Sequence, residues 1–142
     1  MNNVLRERLG TLYAAFQAGK LDFVLNAIDD DVEFISYSPV QLFPFLGHRR
    51  GKAEMAQVLR GAHAMFDFVS CEPLSIMVEN DNAAVQLFSR FVGRKTGRSV
   101  QGHGAHFFRF RNDKIVELRT FSDTFRSAEE ILGRKLIAGA IT

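Results

Sequence analysis

The chain has no tryptophan, one cysteine, three prolines and almost no net charge. Each shortage excludes something. The single Cys71 rules out an internal disulfide and any cysteine-rich metal centre. A net charge of +2 over 142 residues is too small to mark a nucleic-acid or anionic-membrane partner. No apolar run is long enough to span a bilayer. The opening MNNVLRERLG lacks the apolar centre of a secretion signal, so the expected location is cytoplasmic. Without tryptophan, the 14 phenylalanines must supply much of the core area. A length of 142 residues suits one domain with one core, taken as residues 1–142.

The residues that are present group into a regular order. Leu5, Leu9, Leu12, Tyr13 and Phe16 recur at helical spacing and predict a helix over residues 4–18, stopped by Gly19. Leu21, Val24, Leu25 and Ile28 predict a short second helix, broken by Asp29, Asp30 and Asp31. From Val32 to Tyr37 the pattern alternates, with Val32, Phe34 and Ser36 on one face and Glu33, Ile35 and Tyr37 on the other. Residues 38–50 read as an unusually apolar loop, and its stretch 40–46 as either a lid or a contact surface. Met55, Val58, Leu59, Ala62 and Phe66 mark a third helix.

Strands then dominate. One runs from Phe66 to Val78 and bends near Pro73, as at a sheet edge. Others run from Ala83 to Val92, Ser99 to Phe110 and Ile115 to Phe125. Ser127 and Glu130 have the spacing of a capping box and announce a last short helix. Helices gathered on one side of antiparallel strands define an α+β domain. The expected form is a strongly curved, mainly antiparallel sheet wrapped around the N-terminal helices and enclosing a conical cavity.

Three segments resemble a known family. YAAFQAGKLDFVLNAIDDDVEF at residues 13–34 resembles the opening helices and first strand of the nuclear transport factor two-like superfamily. GHRRGKAEMAQVL at 47–59 resembles its glycine-led third helix, and GHGAHFFRFRNDKIVELRTFSDTF at 102–125 its final hairpin. Within the superfamily the likeness is to the SnoaL-like and ketosteroid-isomerase-like group. That fold hosts isomerases, cyclases, dehydratases, hydrolases and non-catalytic modules.

The resemblance implies site residues one at a time. Ketosteroid isomerase uses an Asp base with a Tyr and a protonated Asp as oxyanion donors. Aligned without gaps, those positions fall on Ser36, Leu12 and His106, so the base and the Tyr donor are both absent. SnoaL-like cyclases use an Asp near the end of the last strand with a nearby His, which implies Asp123 with His106. Limonene-epoxide-hydrolase-like relatives use two Asp and an Arg. Asp123 and Arg90 match two of the three, but Phe88 and Val92, which flank Arg90 on its face, are not acidic.

The residues themselves set limits on these roles. Strand parity puts Gly102, Gly104, His106 and Phe108 on one face and His103 on the other. The two histidines therefore do not form a metal pair, and no metal site is expected. The GHG at 102–104 lies within a strand and does not open a helix, so it is no phosphate loop. Strict alternation puts Asp123 on the face of Phe121, unless a bulge reverses it; a structural Asp123 would pair with an Arg or cap the last helix. Phe16, Tyr37, Phe88 and Arg90 are further ligand-contact candidates.

The expectation is a cofactor-free acid/base protein with His106 and Asp123 at its centre. It would drive isomerisation, cyclisation or dehydration of a small, mostly apolar carbonyl or hydroxyl compound. The alternative is a ligand-binding or dimerisation module without chemistry. The resemblance implies a homodimer through the open sheet face.

Overall fold

A computed structural model describes residues 2–136. Helix α1 (Asn2–Gln17) is followed by α2 (Leu21–Asn26), strand β1 (Ile28–Ser36), the short β2 (His48–Arg50) and α3 (Lys52–Met65). Four strands come next: β3 (Phe66–Glu79), β4 (Asn82–Gly93), β5 (Ser99–Arg111) and β6 (Lys114–Ser122). Helix α4 (Thr124–Leu132) ends the series. All six strands form one sheet in the order β2-β1-β6-β5-β4-β3. Every pairing is antiparallel except β1 with β6.

The local chemistry accounts for the connections. The loop between β5 and β6 consists of Asn112 and Asp113, both at positive φ (51° and 62°). Two successive positive φ values make the type I′ turn whose twist matches a hairpin, and Asn and Asp tolerate it best after Gly. Gly19 leaves α1 at φ 78°. Pro73 sits in β3, at the sheet edge, where the register shifts between Pro73 and Ser75.

One face of the sheet is buried beneath α1, α2 and α3. Leu9 from α1 and Val32, Val85 and Val100 from the strands are the most completely buried side chains. Phe34, Phe108, Phe110 and Ile115 extend the same cluster. The apolar loop expected at 38–50 packs inward: Phe43 is buried, and the Phe45 ring rests on Gly61 of α3, where any Cβ would lie 2.4 Å from that of Phe45. No helix among the described residues is long and apolar enough to cross a membrane.

Several boundaries differ from the sequence reading: Phe66 opens β3 and does not close α3, and β6 ends at Ser122, short of Phe125. Ile28 opens β1 and does not belong to α2, because its backbone joins β6 opposite Ile115. The acidic trio at 29–31 lies within β1, across an irregularity between Ile28 and Glu33. Residues 48–50 form a strand that completes the sheet edge beside β1. The last helix begins at Thr124, ahead of the Ser127–Glu130 pair, because Asp123 and not Ser127 caps it.

Candidate functional site

Between the helices and the inner sheet face lies a cavity of about 260 Å³. Its wall is mostly apolar, with Leu12 and Phe16 from α1, Phe43 and Phe45 from the loop, Phe34 from β1 and Phe108 from β5 among the lining residues. Such a chamber, apolar with a few polar groups, is the usual form of a small-molecule site.

The principal polar feature is a pair. The hydroxyl of Tyr13 lies 2.6 Å from Nδ1 of His106. Helix α1 supplies Tyr13 and the middle of β5 supplies His106, so the pair bridges helix and sheet. Phe108 meets both rings edge-on, at 6.2 Å from each. Burial pushes His106 down from its ordinary 6.5 to about 4 and pushes the Tyr13 phenol well above 10.0, with Cys71 adding to the latter. Both groups are therefore neutral at pH 7. A neutral imidazole offers one donor and one acceptor, and either partner can supply the shared proton. Nε2 of His106 has no hydrogen-bond partner among the described residues and is not sealed from solvent-sized space. Cys71 also lines the cavity, and burial raises its thiol to about 12.

A second polar strip lies on the sheet. Ser36, Thr120 and Ser122 line the cavity together with Ser38. Ser38 Oγ is 2.9 Å from Ser122 Oγ, and the Ser38 amide donates to Ser36 Oγ at 3.3 Å.

The sequence-derived site divides between the two faces of the sheet. His106, Leu12, Phe16, Ser36 and Phe108 reach the cavity. Asp123 does not. It is exposed and accepts the Arg126 amide at 3.3 Å as the N-cap of α4, while its own amide donates to the His103 carbonyl. No bulge reverses the end of β6, so Asp123 is not brought to His106. Arg90 and Phe88 lie on the outer face, because their neighbours Leu87, Ser89 and Phe91 take the cavity side. Arg90 is exposed, and Phe88 packs edge-on against His103 at 5.1 Å. Tyr37 is also outside, stacked on Phe121 at 4.6 Å with its hydroxyl accepting from Arg119.

The sequence reading passed over Tyr13, one residue on from Leu12. A signal for it was present in the sequence: a lone tyrosine on the apolar stripe of a buried helix must find a polar partner. His106, facing inward by strand parity, was the available one.

Residues 9–118 match the family model described as the SnoaL-like domain. Among solved structures, a "putative isomerase" from Rhodopseudomonas palustris is similar at 30% identity and a TM-score of 0.80, over 87% of this chain and 91% of that one. TerC, co-crystallised with polyporic acid, superposes with a TM-score of 0.78 at 18% identity, over 90% and 97% of the two chains. An LEH-like epoxide hydrolase from M. tuberculosis gives 0.69 at 17%, over 85% and 84%. The last two likenesses concern the fold alone. No curated protein matches the sequence. The family match and the shared architecture agree: the chain belongs to the SnoaL-like domain family, and its fold is that of nuclear transport factor two-like proteins.

Proposed function

We propose that this protein is an acid/base enzyme that moves a proton within a small, mostly apolar carbonyl compound, using Tyr13 and His106. The observation that carries this reading is the 2.6 Å Tyr13–His106 contact in the wall of an apolar cavity. The "putative isomerase" relative supports the reaction class.

The chemistry follows from neutrality. A low-dielectric cavity penalises any step that leaves a separated charge. The pair avoids this when Nδ1–H of His106 donates to the Tyr13 oxygen and Nε2 is bare. Nε2 then takes a proton from the carbon beside the substrate carbonyl. Tyr13 gives its hydroxyl proton to the carbonyl oxygen, and Nδ1–H passes to Tyr13. The substrate becomes its enol, the imidazole becomes its other tautomer, and no net charge forms. Reversal with reprotonation at another carbon completes an isomerisation. An imidazole acid of pKa about 4 is a weak base on its own, so the coupled transfer from Tyr13 is essential to the scheme.

The test is incorporation of solvent deuterium beside the carbonyl of a probe ketone, 1-tetralone, followed by NMR. Exchange above the buffer rate in the wild type, with at least a ~100-fold loss in folded His106→Gln, is expected. No exchange by the wild type, or equal exchange by both proteins, contradicts the proposal and favours a binding module without chemistry.

We also propose a homodimer through the outer sheet face. Phe107, Phe121 and Tyr37 are 47%, 41% and 53% exposed there, and Phe121 contacts both of the others. A contiguous exposed aromatic patch suits a second copy of the chain.

A further inference from the structure

The hydroxyl strip opposite Tyr13 has donors to spare. Ser36 pairs with Thr120 across β1 and β6, and Thr120 pairs with His106 across β6 and β5. These three residues therefore form one row on the cavity side of the sheet. Ser122 and Gly104 pair in the adjacent row, with Ser38 Oγ against Ser122 Oγ.

Counting protons shows what is unused. Ser36, only 8% exposed, accepts from the Ser38 amide, which leaves its own hydroxyl proton without an acceptor among the described residues. The Ser38–Ser122 bond consumes one of two hydroxyl protons. The Thr120 hydroxyl has no partner among the described residues, yet it is not one of their sealed, unsatisfied atoms. Three O–H donors thus face the cavity without an acceptor among the described residues. Ser36 and Ser38 are buried, and a buried donor without an acceptor costs free energy that a ligand oxygen would recover.

We propose that Ser36, Thr120 and the Ser38–Ser122 pair form an oxygen-binding subsite, so that the ligand is an uncharged, mostly hydrocarbon molecule with two oxygen acceptors. This rests on the reading above, in which one oxygen, the carbonyl, meets Tyr13. The second oxygen, a carbonyl, ether or hydroxyl, accepts from the strip. Adjacent strands are about 5 Å apart, so Thr120 and Ser36 lie roughly 5 and 10 Å from His106 at the backbone. A fused bicyclic skeleton with oxygens at opposite ends spans that gap.

The absence of charge follows from the wall. None of the residues lining the cavity is Asp, Glu, Lys or Arg. Of the ionisable lining residues, Tyr13, Cys71 and His106 are held toward the neutral form by burial, and His103 stands at the rim beside Gly102 and Gly104. A carboxylate or phosphate entering here would lose its hydration and meet no Lys or Arg in the wall.

Calorimetric titration of the full chain with tetralin-based probes tests the subsite. 6-Methoxy-1-tetralone carries two acceptors, 1-tetralone one, and tetralin-1-carboxylate a charge. The expected result is about 3- to 10-fold tighter binding of the methoxy ketone than of 1-tetralone, the worth of one hydrogen bond. The carboxylate should bind at least ~10-fold more weakly than 1-tetralone. In Ser36→Ala/Thr120→Val the methoxy advantage should fall below about twofold. Should that variant not fold, Ser122→Ala, at an exposed position, provides the same comparison. An advantage that survives in the folded variant, a carboxylate that binds as well as the ketone, or no binding by either ketone overturns the proposal. The catalytic reading fails separately: no methoxy advantage in the wild type, with its deuterium exchange intact, sinks only the subsite, and a wild-type methoxy advantage without exchange sinks only the chemistry.

Discussion

Tyr13 and His106 are 93 positions apart in the chain and share a hydrogen bond of 2.6 Å in the cavity wall. The helix stripe that buries Leu9 and Leu12 also delivers the Tyr13 hydroxyl to the sheet. Removing that hydroxyl separates its catalytic and structural contributions. Tyr13→Phe should lower stability by about 1–3 kcal/mol, because Nδ1 of His106 loses its partner. Urea denaturation measures this, and a change of less than a few tenths would show that the bond contributes little.

His106 makes stability depend on pH in a definite direction. Its pKa is about 4 in the folded protein against an ordinary 6.5. Between these values the unfolded chain binds a proton that the folded chain refuses, so stability falls as pH falls. The contribution is complete above 6.5 and is lost toward 4, amounting to about 3 kcal/mol at most. His106→Gln should flatten this part of the profile relative to wild type. Parallel curves for the two proteins in urea titrations from pH 7 to 4.5 would contradict the assignment.

Asp123 holds a helix in place. Asp123→Ala should cost about 0.5–2 kcal/mol by removing the cap of α4. Asp123→Asn, which keeps the capping oxygen, should cost much less and retain the proton-transfer activity. Calorimetric melting of the two variants distinguishes a cap from a general role in folding.

Gly61 sets the position of the loop over the cavity. Gly61→Ala would place a methyl 2.4 Å from Phe45 Cβ, so loop and helix must part. The expected cost is about 1–3 kcal/mol, with weaker ligand binding because Phe45 is part of the wall. Unchanged binding and melting would show that the loop adapts freely.

The homodimer proposal is tested by sedimentation. A species of twice 16.0 kDa is expected, with dissociation in Phe121→Lys. Wild type found only at 16.0 kDa would refute it.

Most of the fold was legible because period and parity are local properties. The alternation through Phe34 and Ser36, and that through Gly104, His106 and Phe108, gave the inward faces that the structure has. The parallel pairing of β1 with β6 was not legible, since it joins segments more than 80 residues apart. Strict parity put Asp123 on the face of Phe121, and the family likeness drew it toward His106; parity prevailed because β6 ends without a bulge. Arg90 was assigned a role by its chemistry and a family likeness, and Phe88 with it, although the cavity-facing glycines of β5 pair with residues on the opposite face of β4. Tyr13 was missed because its apolar ring satisfied the helix stripe, and its hydroxyl acquires meaning only beside a residue from another element.

The central claim is that Tyr13 and His106, and not Asp123, move the proton. The direct measurement is the rate of solvent-deuterium exchange into 1-tetralone by folded Tyr13→Phe and Asp123→Asn under identical conditions. A loss of at least ~100-fold in the first and near wild-type exchange in the second is predicted. Near wild-type exchange in Tyr13→Phe with collapse in Asp123→Asn would contradict it.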